Sequence, residues 1–118
     1  FSLAGKRILV LGAGGAVPGL ANVDPAGYVR MWDAAVAGDW DAARKEQARL
    51  NRLFDIVFTP AGLGGDAGGI GAFKAAVARL GIISSGTMPA PLRPLDDSAL
   101  KAIDGILAEV GLLDTASA

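Results

Sequence analysis

Gly12-Ala13-Gly14-Gly15 follows directly on the branched apolar run Ile8-Leu9-Val10-Leu11. Glycines placed after a strand can let the backbone approach a pyrophosphate at a helix N-terminus. A dinucleotide turn also needs a third glycine or alanine, which here would be Val17, with Pro18 and Gly19 where the helix should propagate. The acidic or basic residue that reads a ribose about 20 residues later has no second strand to stand on, because that stretch already has a helical pattern. Gly12, Gly14 and Gly15 therefore read as a bare glycine turn and at most a vestigial nucleotide contact, and no cofactor is expected.

Other candidate chemistry is sparse. Lys74 stands beside Phe73 on a helical apolar stripe, where desolvation could lower an amine's pKa enough for Schiff-base chemistry. A lysine at the edge of such a stripe more often extends its stem along it and keeps its amine in water. Tyr28, the single tyrosine, falls in a first helical turn and reads as a packing residue. Asp24, Asp39 and Asp96 read as helix caps, while Asp33 and Asp55 stand alone on different helices, so no carboxylate pair follows from spacing. With no His and no Cys, the chain cannot build a Ser-His-Asp triad, a thiolate nucleophile, a disulfide or a zinc site of imidazole or thiolate ligands. No metal site is expected.

The elements that would position these groups fit one domain of 118 residues, 52% hydrophobic and 19% charged. Eleven basic and twelve acidic residues leave a net charge of -1, so no excess of positive charge exists to draw counterions off a phosphate backbone, and nucleic acid is not the expected partner. Mean hydropathy is high at +0.42, yet no apolar run approaches the roughly 20 residues of a membrane span. Nor does the front of the chain show the ordered regions of a targeting signal.

Residues 6–11 read as a strand buried on both faces. Residues 16–23 are apolar but hold Pro18, which removes a ladder donor and admits a second strand only at an edge or bulge. Helices are expected over 25–37, 40–58, 69–80 and 97–110, with stops at Gly38, Gly81 and Gly111. The second helix should bury Trp40, Ala43, Gln47, Leu50, Phe54 and Val57, leaving Arg44, Lys45, Glu46, Arg49 and Arg52 mostly solvated. The third should bury Ile70, Phe73, Val77 and Leu80, and the fourth Leu100, Ile103, Leu107 and Val110. Residues 59–69, with Pro60 and five glycines, read as a flexible loop, and 82–94 as an extended connection. The fold class is mostly α with a small β element: a strand and glycine-turn segment over 1–23, then a helical segment over 24–118.

Two stretches resemble known families. FSLAGKRILVLGAGGA, residues 1–16, resembles the strand and NADP-binding turn that open the nucleotide domain of shikimate dehydrogenase, although that family's substrate domain and catalytic lysine and aspartate have no counterpart here. From about residue 12 to 113, GAVPGLANVDP, GDWDAARKEQARLNRLF, GIGAFKAAVARLGII and PAPLRPLDD resemble the C-terminal portion of the dihydrodipicolinate synthase and N-acetylneuraminate lyase family. This second resemblance implies a fragment of an α/β barrel, its last strand and helix, plus an appended helical domain. It also implies class I aldolase or lyase chemistry through a pyruvate Schiff base. The lysine, tyrosine and threonine pair that do this chemistry lie on earlier barrel strands in that family. Lys74 falls in an appended helix and inherits none of their roles; Val17, by position, would line the pyruvate site.

The two resemblances meet at Gly12 to Ala16, as in fragment recombination. The expectation is therefore a chimera, engineered or recombined, with no evolved catalytic activity. The alternatives are a truncated natural aldolase or lyase that needs the missing barrel, or a weak nucleotide-binding remnant. A lone apolar strand should recruit a second copy, so a homodimer through residues 8–11 and the apolar stretch to Val23 is expected, with no nucleic acid or membrane partner. The resembled families imply a cytoplasmic protein.

Overall fold

The structure, a computed structural model, describes residues 16–62 and 65–114. The expected strand over 6–11, the turn Gly12–Gly15 and most of the C-terminal tail lie outside the described residues.

Among the described residues, four helices carry the fold: α1 (Pro25–Val36), α2 (Trp40–Phe54), α3 (Gly65–Arg79) and α4 (Asp97–Glu109). The starts of α1, α2 and α4 are set by side-chain caps. Asp24 accepts the Gly27 N–H at 3.0 Å, Asp39 the Ala42 N–H at 3.0 Å, and Asp96 the Ala99 N–H at 2.8 Å. Each satisfies one of the donors that a helix N-terminus leaves without an internal partner. The chain leaves α1, α3 and α4 through glycines in the left-handed region, with φ of 76° at Gly38, 74° at Gly81 and 77° at Gly111. The four expected helices are thus present, mostly at the expected places.

Four expectations need correction. Residues 16–23 form no strand: Gly19–Asn22 is a turn of 3-10 helix in which the Ala21 N–H reaches the Pro18 carbonyl at 3.0 Å. The Asn22 amide adds a bond to the Gly19 carbonyl at 2.9 Å, so local bonds replace a sheet ladder. Second, α3 begins at Gly65 and absorbs part of the expected loop. A glycine costs a helix only about 1 kcal/mol, which tertiary packing offsets here.

Third, α2 ends at Phe54 and passes into a second 3-10 turn, Asp55–Phe58. Leu53 near the end of α2 and Ile56 in the 3-10 turn are fully buried, while Phe54 is 44% exposed and Trp40 39% exposed. Fourth, the buried face of α3 is small, comprising Gly68, Gly71, Ala72, Ala75 and Ala76, with Ile70 half exposed. Phe73, Val77 and Leu80 pack beside the core rather than at its centre.

Leu50, Leu53, Ile56, Ile103 and Leu107 form the middle of the core, joined by Leu20 and Val23 from the first 3-10 turn. α1 lies mainly on α2, while α3 and α4 close the core from the other side. The connection 82–94 has no regular structure, as expected. It lies flat on the small face of α3, where a Cβ at Gly86 would stand 3.4 Å from the Ala75 Cα.

Candidate functional site

The densest polar constellation surrounds Arg49. Its Nη1 donates to Asp24 Oδ2 at 2.6 Å and to Glu46 Oε1 at 2.9 Å, and its Nε donates to the Val110 carbonyl at 3.0 Å. Arg30 reaches the same Glu46 oxygen at 2.9 Å and stands 3.8 Å from Asp24. One guanidinium therefore holds the capping residue of α1, the middle of α2 and a free carbonyl at the end of α4. Burial of Asp24, at 3% exposure, is tolerated because both oxygens have donors.

The close approach depends on Gly27. A Cβ there would lie 2.4 Å from Asp24 Oδ2 and 3.0 Å from a Leu50 methyl, so no other residue leaves room for the carboxylate. Arg49 was expected on the solvated face; instead its side chain is 23% exposed, and Glu46 is buried further still. The i,i+3 pair Glu46–Arg49 is visible in the sequence. Its burial is not, since that depends on where α1 and α4 lie.

Two further pairs tie helices together. Arg79 grips both carboxylate oxygens of buried Asp104, joining α3 to α4. Arg52 bridges Glu109 and Asp55, joining α2 to α4. The hydrogen bond from Arg52 holds the Glu109 carboxyl below its ordinary value. Burial, and secondarily Asp24, pushes the Tyr28 phenol up.

An open groove of about 380 Å³ lies along α3, lined by Gly71, Ala75, Ser85, Met88 and Leu95 with Arg79 at its side. Among the described residues lining it, Arg79 is the one that is charged, and its charge is already met by Asp104. Ser85 and Thr87 hydroxyls bond each other. Among the described residues the groove therefore brings together no nucleophile with a base. Lys74, partly exposed, gives its amine to the Thr87 carbonyl and so fastens the 82–94 connection to α3. That is a packing use.

Gly12, Gly14 and Gly15 lie outside the described residues. Val17 is fully exposed just before the first 3-10 turn. Asp33 is exposed on α1 and Asp55 is taken up by Arg52. Among the described residues no group of three or more acidic side chains could hold a metal ion. None of the described helices is long and apolar enough to cross a membrane.

The model of the Dihydrodipicolinate synthetase family matches residues 4–110. The chain belongs to the dihydrodipicolinate synthetase family. It is 34% identical over 90 residues to the 4-hydroxy-tetrahydrodipicolinate synthase of Shewanella pealeana, covering 76% of this chain and 28% of that protein. To the synthase of Ruegeria pomeroyi it is 35% identical over 102 residues, covering 86% and 32%. To that of Methanosarcina barkeri it is 30% identical over 107 residues, covering 91% and 34%.

This member of the dihydrodipicolinate synthetase family thus spans about a third of the length of the curated relatives it matches. The match starts at residue 4, so most of the stretch that resembles a dehydrogenase segment falls inside it. The mostly helical architecture is compatible with a C-terminal helical part of such a protein.

Proposed function

We propose that this chain is the C-terminal part of a dihydrodipicolinate-synthase-like aldolase or lyase, acting as scaffold rather than supplying catalytic groups. The observation that carries this reading is the family match over 4–110 together with the relatives' threefold greater length. In the resembled family the Schiff-base lysine, the tyrosine and the threonine pair stand on earlier barrel strands. The four lysines here are Lys6, Lys45, Lys74 and Lys101, and Lys74 is committed to the Thr87 carbonyl. The ion pairs that join α1 to α2, and α4 to both α2 and α3, suit a rigid support.

A single family origin is favoured over a chimera because the match runs back to residue 4. Under this reading the glycines at 12, 14 and 15 bind no nucleotide, and NADP leaves the melting temperature unchanged.

Borohydride reduction with pyruvate tests the reading. Alone, the chain should keep its mass of 11.9 kDa, and a stoichiometric pyruvyl adduct on any of its lysines overturns the scaffold role. Mixed with the front two thirds of the Ruegeria pomeroyi synthase, it should allow an imine to be trapped on that fragment. A fragment that traps no more imine with the chain than without it counts against the proposal.

A further inference from the structure

The groove along α3 lies away from the side on which the chain enters the fold. Phe73 is on the flank of α3 that meets the first 3-10 turn, where a Cβ at Gly19 would stand 3.0 Å from its ring. Gly71 and Ala75, which line the groove, stand about 160° round the helix axis from Phe73, on the other flank. The facing wall is the 82–94 connection, and it is held in place. Lys74 gives its amine to the Thr87 carbonyl, Gly86 lies on the Ala75 backbone and Met88 is buried. The groove is therefore formed before any ligand arrives.

We propose that this groove binds a small monocarboxylate with an apolar body. Its volume of about 380 Å³ is at the low end of the range of roughly 300–1,000 Å³ for small-molecule sites. Ala75, Met88, Leu95 and Leu100 offer apolar surface, and Ser84 and Ser85 bring hydroxyls to the same space.

Charge decides the sign of the ligand. Arg79 holds the Asp104 carboxylate through Nε and Nη2, so the pair is neutral as a whole, and Nη1 has no partner among the described residues. Lys74 bonds a neutral carbonyl and forms no ion pair among the described residues, which leaves one positive charge in excess beside the groove. Asp96 and Asp97, beyond Leu95, stand at the start of α4, where the Ala99 N–H, the Ser98 hydroxyl and the helix dipole take up negative charge. On α3 the two cations flank the groove floor, Lys74 about 60° round from Gly71 and Arg79 about 80° the other way. A carboxylate can accept from Nη1 within reach of the excess charge. An amine is repelled, and a neutral ligand gains only the apolar wall.

Titration of the isotope-labelled 118-residue chain with hydrocinnamate, followed by amide chemical shifts, tests this. Saturable shifts should centre on Ala75, Arg79, Ser85 and Gly86, with dissociation in the millimolar range as suits so open a site. Hydrocinnamide, the same shape without the charge, should bind about fivefold more weakly or worse. Lys74→Gln keeps a donor for the Thr87 carbonyl and should weaken hydrocinnamate by a similar factor while leaving hydrocinnamide unchanged. Arg79→Met combined with Asp104→Leu removes the pair without stranding a buried charge, and should also weaken hydrocinnamate. Absence of saturable shifts up to about 50 mM overturns the proposal. So does an amide that binds as tightly as the acid, binding indifferent to both variants, or shifts confined to the exposed α1 residues Val29, Trp32 and Val36. Adding the front fragment of the Ruegeria pomeroyi synthase should leave binding intact; its loss would give the groove to the rest of such a protein and equally overturn the site. Binding here does not depend on the scaffold role, which imine trapping judges separately.

Discussion

Arg49 Nη1 lies 2.6 Å from Asp24 Oδ2, and the carboxylate it holds is the one that caps α1. A single ion pair therefore serves both as a helix cap and as the bond between α1 and α2. The same guanidinium reaches the Val110 carbonyl, so α4 is held by it too.

Arg49→Met should leave Asp24 buried beside fewer donors and the Val110 carbonyl unpaired. The cost should be about 2–3 kcal/mol, below the roughly 3–5 kcal/mol of a fully buried pair because Arg49 keeps contact with water. Melting temperature should fall by roughly 10 °C. A double-mutant cycle with Asp24→Asn should show clear coupling; additive effects would mean that the pair contributes little.

Two glycine substitutions should act in opposite directions. Gly27→Ala places a methyl against Asp24 and Leu50 and should destabilise the chain by about 2 kcal/mol or more. Gly105, on the exposed side of α4, has nothing within 4 Å of a built Cβ, and its φ is not positive. Gly105→Ala should stabilise by about 0.5–1 kcal/mol, by removing freedom from the unfolded chain. Urea titration of both variants reads the sign directly.

Neighbouring residues at the end of α2 should also differ. Leu53 is fully buried, and Leu53→Ala should cost about 2–5 kcal/mol. Phe54 meets Phe58 edge to face at 6.1 Å but remains 44% exposed, so Phe54→Ala should cost under about 1.5 kcal/mol. Equal losses would place Phe54 in the core.

Stability should fall at both ends of the pH range. The Ala99 N–H, aided by the Ser98 hydroxyl, holds Asp96 below its ordinary 3.8, and Arg52 holds Glu109 below its ordinary 4.5. Acids lowered in the folded state contribute stability above their unfolded values and lose it as pH falls through the folded ones. Melting temperature should drop below about pH 4.5, less steeply in Asp96→Asn. Tyr28 is raised above 10.0, so its contribution is complete below that pH and is lost as pH rises past it. Tyr28→Phe should flatten the alkaline limb.

The candidate site was legible only in outline. Glycine spacing at 12, 14 and 15 suggests a turn, and Val17 enters through family resemblance alone. The cluster on Arg49 leaves no separate mark in the sequence, because Asp24 already has a complete local explanation as a cap. Nothing in Glu46-x-x-Arg49 distinguishes a buried pair from a solvated one.

What the sequence determined by itself was the punctuation of the helices. Asp24, Asp39 and Asp96 start them, and Gly38 and Gly111 end α1 and α4 while Gly81 closes α3, because capping and the left-handed turn involve only residues a few positions apart. Tertiary structure decided how each helix is rolled about its axis. Leu53 turns in and Phe54 out, α3 buries alanines and glycines beside larger residues of its own, and Arg49 points inward. Those choices depend on neighbours distant in sequence: a small face lets another backbone come close, and a charge can be buried only where a counter-charge on another helix already waits.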